Sequence, residues 1–201
     1  MRERDVACVA AQLGRRPQAL NRVVARCPWG CVAAVEDLPY TAQGRPFPTL
    51  FYATCPTLVA SVGALESAGG VKRFAAELAA DADLQRALAV ALGYQRRRRR
   101  ALVAQRHLTM LDHGASLHTG IGGVARPHAV KCLHAHAAFA LARPGYLLGE
   151  RVLHAAAAGT ALWCSDRRCV AFCTPPEAAS TAPQASATPS AATAACRARS
   201  T

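Results

Sequence analysis

The sequence predicts an α+β fold: a mostly helical single domain with a small antiparallel β-sheet near the N-terminus. Three observations lead there. Apolar residues make up 52% of the 201 residues while aromatics supply 5%, and much of the apolar share is alanine, which favours helix and buries little area. Short β-prone runs bounded by turn residues crowd into the stretch before Cys55. From Pro56 onward, apolar residues recur at helical spacing. The length suits one domain with its own core plus appendages. We divide it into a folded domain over 1–155, a cysteine-containing extension over 156–173, and an Ala/Ser/Thr/Pro-rich tail over 174–201 expected to be disordered.

The elements follow in order. "MRERDVACVAAQLGRR" reads as an amphipathic helix stopped by Gly14, because its apolar run is too short for a signal peptide. Val23 to Arg26 and Val32 to Glu36 are two strands joined by the turn chemistry of Cys-Pro-Trp-Gly, and Thr49 to Thr54 alternates as a third. Pro56 suits a first helical position, with Leu58, Val62 and Leu65 on one face and Gly69-Gly70 as the stop. A second helix runs from about Val71 to Ala80, and a third starts near Asp81 with Leu84, Leu88, Ala91 and Leu92 as its stripe. "LDHGASLHTGIGGVARP" is a glycine-rich connector, and a last core helix is expected from Pro127 to Arg143. No segment reaches the roughly 18–20 uninterrupted apolar residues of a membrane span. The expectation is a cytoplasmic protein with no membrane partner, whose nine cysteines stay reduced rather than forming disulfides.

The net charge of +12 is unevenly spread, since Arg96 to Arg100 with Arg106 supply six of the twelve charges. Five consecutive arginines cover more than a full helical turn, so they cannot share one solvated face. Extending the stripe from Leu88 and Leu92 places Gln95 or Arg99 inward. Aromatic neighbours for base stacking are missing apart from Tyr94, which favours a solvated insertion over a nucleic-acid footprint.

Several cysteines and histidines carry ligand chemistry. On a helix from Pro127, His128, Cys132 and His136 share a face, while His134 lies about 160° around from His136. Cys55, ahead of Pro56, falls at a helix N-cap, where free N–H groups and the helix dipole lower a thiol pKa. Cys27 and Cys31 have the C-x3-C spacing of zinc knuckles, and Cys164, Cys169 and Cys173 also have ligand-like spacing. "HTGIGG" offers backbone N–H groups to an anion without matching a P-loop or dinucleotide fingerprint.

"RCPWG", "GRPFPTLFYATCP", "LESAGG", "GIGG" and "VKCLHAHAAFALA" together resemble DUF501, an uncharacterised family found chiefly in actinobacteria. The resemblance runs from about Asp5 to Leu153. It implies a shared pattern containing Cys27, Cys55, Cys132 and His134, and so favours His134 over His136. In place of the Asn-Pro that usually follows the Lys-Cys-Leu-His helix, this chain has "RPGYLLGE".

The expected function is therefore a Cys/His metal site, holding zinc or an iron–sulfur cluster, or a reactive thiol. The expected metal ligands are Cys27, Cys55, Cys132 and His134, with His136 as the alternative, and Cys55 and Lys131 are the candidate catalytic groups. The alternative is a non-enzymatic basic module that binds nucleic acid or an acidic protein through Arg96, Arg97, Arg98, Arg99 and Arg100, with structural cysteines.

Overall fold

A computed structural model describes residues 2–173. The expected disordered tail and Cys196 lie outside them. Helix α1 (Glu3–Leu13) is closed by Gly14 in the left-handed conformation. Strands β1 (Leu20–Arg26), β2 (Val32–Asp37) and β3 (Phe51–Ala53) then form one antiparallel sheet in that order. The predicted α+β class, mostly helical with a small N-terminal sheet, is the observed one. Val32 and Val35 of β2 pack with Cys8 and Val9 of α1, whereas Ala33 and Ala34 join the main core. Every residue of β2 is buried, which is why it shows no alternation of apolar and polar residues.

The other elements are α2 (Pro56–Ser67), α3 (Gly70–Ala80), α4 (Ala82–Arg106), α5 (Leu133–Ala142), α6 (Leu147–Gly159) and the short α7 (Val170–Cys173). Helix α5 is the hub of the core, packing against the sheet, α2 and α6. Gly149 allows the α5–α6 approach, because a Cβ there would sit 2.3 Å from the His136 carbonyl oxygen. Among the described residues, no helix is long and apolar enough to cross a membrane.

Helix α4 runs unbroken through the arginine cluster, its N-terminus capped by Asp81, whose carboxylate accepts from the Asp83 and Leu84 N–H groups. The inward stripe runs on through both of the expected alternatives, Gln95 and Arg99, and then Leu102. Arg99 is fully buried and donates to the carbonyls of Phe47 and Pro48. Pro46 and Pro48 have no N–H to offer a ladder, so this loop needs other partners, and Arg99 is one. Arg98 grips Glu36 of β2 with two hydrogen bonds of 2.7 and 2.8 Å, and Arg22 of β1 joins the same carboxylate at 2.6 Å. The solvated-insertion reading is thus corrected for Arg98 and Arg99: both tie α4 to the body of the protein.

Two further expectations change. Helix α5 begins at Leu133 rather than Pro127, because Cys132 is extended and Glu66 captures the Leu133 N–H at the helix start. His128 is therefore exposed and off the helix. Cys8 and Cys173 form a disulfide, against the expectation of reduced cysteines, since α7 folds back onto α1 and brings them to a Cα separation of 4.3 Å.

Candidate metal centre

β1 ends in a tight turn in which the Cys27 N–H donates to the Cys31 carbonyl and the Gly30 N–H to the Cys27 carbonyl, both at 2.9 Å. Gly30 adopts φ +79°, a conformation open to glycine. This knuckle turns both sulfurs to one side. The chain after α6 supplies the other half: the Trp29 indole N–H donates to the Cys164 carbonyl at 2.6 Å, and the Arg167 guanidinium lies 5.1 Å from the Trp29 ring centre.

Held this way, the sulfurs of Cys27, Cys31 and Cys169 lie within 4.8 Å of one another, and Cys27 Sγ is 3.7 Å from Cys169 Sγ. Cys164 lies next to this group: the nearby Cys169 N–H pulls its pKa down, and it interacts electrostatically with Cys31. Burial pushes the Cys31 and Cys169 thiols up. Cys27, Cys31, Cys164 and Cys169 are all buried and all free of disulfides. The sulfurs of Cys27, Cys31 and Cys169 are close enough together to hold a metal ion. A tetrahedral zinc–thiolate site with bonds of about 2.3 Å sets sulfurs about 3.8 Å apart.

Cys55 is the N-cap of α2, as expected, and interacts electrostatically with Cys27 and Cys164. The expected low pKa is corrected: burial outweighs the N–H groups of Leu58 and Thr57, and the thiol is pushed up. It is 1% exposed, and a helix end cannot compensate for so complete a loss of water.

Cys132 and His134 fall in a second group, with Glu66. His134 Nδ1 is 3.3 Å from Glu66 Oε2 and 4.0 Å from Cys132 Sγ, while Nε2 is 3.0 Å from the Val59 carbonyl. The Cys132 thiol, then the Val59 carbonyl and the Glu66 carboxylate, hold the His134 pKa up at about 9 against the opposing effect of burial. His136 points the other way, into the core, with Nδ1 2.7 Å from the Tyr146 hydroxyl, and burial brings it down to about 4. Lys131 is exposed. Of the four ligands expected from the sequence, Cys27 falls in one group, Cys132 and His134 fall in the other, and Cys55 falls in neither. Cys31, Cys169 and Glu66 are the members that the expected ligand set lacked.

A family model described as a protein of unknown function, DUF501, matches residues 23–154, well over half of the chain. The chain belongs to the DUF501 family. No curated protein and no solved structure matches it. The DUF501 match contains Cys27, Cys31, Cys55, Glu66, Cys132 and His134, and ends before Cys164 and Cys169.

Proposed function

We propose that this protein binds zinc through Cys27, Cys31, Cys164 and Cys169, and that the metal fastens the segment after α6 to the β1–β2 turn. The observation that carries the reading is the meeting of Cys27 and Cys31 from the β1–β2 turn with Cys169 from the far end of the chain, at a buried point where none is oxidised and with the free, buried Cys164 at ligand spacing from Cys169. The short sulfur separations favour one ion over an iron–sulfur cluster, whose irons and sulfides hold the cysteine sulfurs further apart. A site with four protein ligands is closed, and closed zinc sites stabilise folds rather than perform chemistry.

Cobalt(II) substitution tests the ligand set. The cobalt-loaded full chain is expected to show tetrahedral d–d bands and the strong sulfur-to-metal charge transfer of four thiolates. Charge transfer no stronger than one thiolate supplies would refute the assignment. The basic-module reading retains less support, because Arg98 is bound to Glu36 and Arg99 to backbone carbonyls, leaving Arg97, Arg100 and Arg106 as the exposed arginines of the cluster.

A further inference from the structure

We infer that Glu66, Cys132 and His134 form a second metal site, built for a divalent ion of the zinc class and left with one coordination position open to a cavity. The site shares no residue with the four-cysteine centre and stands or falls separately from it.

The geometry of His134 points to a metal rather than to a nucleophilic thiol. A nucleophilic Cys–His pair needs only the thiol on one ring nitrogen and an orienting acceptor, such as the Val59 carbonyl, on the other. Here both the thiol and the carboxylate face the same nitrogen, Nδ1, at 4.0 and 3.3 Å. Three donors converging on one point, all within 4.8 Å of each other, have the arrangement an ion needs. Tetrahedral zinc with nitrogen, oxygen and sulfur ligands spaces neighbouring donors about 3.3–3.7 Å apart; the His134–Glu66 separation already matches, and the His134–Cys132 separation needs a contraction of a few tenths of an ångström.

The surroundings fit as well. Metal-bound histidines commonly donate their other ring N–H to a carbonyl, which fixes the tautomer and aims the free lone pair at the ion. His134 Nε2 has such a partner in the Val59 carbonyl at 3.0 Å. Glu66 is held by its second oxygen, Oε1, which accepts the Leu133 N–H and leaves Oε2 facing His134. A thiolate and a carboxylate also balance the charge of a divalent ion, so the fourth ligand can be neutral.

Three protein ligands with a vacant fourth position is the pattern of zinc sites that bind exchangeable ligands. Cys132 and His134 line a cavity of about 280 Å³ whose other walls include Phe51, Tyr52, Val59 and Ala135. Gly122, at φ +75°, brings the glycine-rich loop against Cys132, where a Cβ would lie 3.4 Å from that of the cysteine. The cavity is mainly apolar and the ion is its polar end. The ligand class this predicts is a small molecule with an apolar body and one oxygen donor, a carboxylate or hydroxamate, that replaces a metal-bound water.

The test uses the full chain, with zinc counted per chain after removal of loosely held metal. The parent is expected to hold two equivalents. Glu66→Gln and His134→Gln should each remove one and leave the four-cysteine centre loaded, while Cys169→Ser should remove the other. If the four-cysteine centre alone is wrong, the parent holds one equivalent and His134→Gln removes it. In the cobalt-loaded parent, benzohydroxamate should shift the d–d bands, and the shift should vanish in Glu66→Gln, which is the variant less exposed to folding defects. Full metal content in both His134→Gln and Glu66→Gln would overturn the site, and a parent spectrum unmoved by benzohydroxamate would overturn its open position.

Discussion

Cys169→Ser is expected to strip the zinc from the four-cysteine centre and lower the melting temperature by about 10 °C. A metal that binds only the folded state stabilises it by about 4 kcal/mol when its free concentration is a thousand times the dissociation constant, and about 4 kcal/mol corresponds to about 10 °C in a chain of this size. The four cysteines are a small part of the main apolar cluster, so the protein should remain folded, with the segment from Thr160 to Cys173 becoming susceptible to protease. Cys55→Ser is the informative control. Cys55 sits beside the centre, near Cys27 and Cys164, and its sulfur, like that of Cys164, is outside the three gathered within 4.8 Å; Cys164 is taken as the fourth ligand because it shares ligand spacing with Cys169. The Cys55→Ser variant should therefore keep its zinc. Zinc lost in Cys55→Ser and retained in Cys31→Ser would replace one ligand by the other, and zinc retained in Cys169→Ser would end the proposal.

Glu36→Gln should produce the second large effect, a loss of about 3 kcal/mol at pH 7. Glu36 is fully buried in the central strand, and four hydrogen bonds from Arg22 and Arg98 plus one from Asn21 converge on it. Burial alone would raise its pKa, yet Arg98 and Arg22 overcome that and hold it at about 2, down from 4.5. A carboxylate lowered in this way stabilises the fold by about 3 kcal/mol wherever it is ionised in both states. The sign follows: the contribution is complete above pH 4.5 and is lost as pH falls towards 2. The difference between parent and variant should shrink to about 1 kcal/mol by pH 3. Its neighbour Asp37 works in the opposite direction, because burial lifts it to about 7, so the fold gives up stability as pH rises from about 4 to 7. Urea midpoints of parent and Glu36→Gln at pH 7 and pH 3 measure both. Equal differences at the two pH values would show that Glu36 contributes through shape rather than charge.

The fold was legible because its cues are local. Gly14, Pro56 and Asp81 act through their own backbone, and each sits at the helix boundary that its chemistry dictates. Extending the stripe from Leu88 and Leu92 points to Gln95 or Arg99 as inward, and the structure buries both. The α5 boundary was not legible, since the Ala-rich run from Pro127 has good helical propensity and only the distant Glu66 carboxylate decides where the helix starts.

The site was half legible for the same reason. Cys27-x3-Cys31 and Cys164-x4-Cys169 each carried ligand spacing, but their partnership depends on α6 returning the chain to the β1–β2 turn, through contacts such as that of Trp29 with Cys164. Read separately, each pair lacked its other half. The N-cap argument for Cys55 placed the residue correctly and erred on its ionisation, because a helix end is visible in sequence and the depth of burial is not.

The central claim is tested most directly by counting zinc and free thiols on the full chain, purified without added metal and without chelator. The four-cysteine centre predicts at least one zinc per chain that survives dialysis and shields four thiols from a thiol reagent. Titrating Cys27, Cys31, Cys164 and Cys169 with an organomercurial should release that zinc. A protein that carries no zinc, takes up none when supplied, and leaves the four thiols unchanged in reactivity would contradict the account.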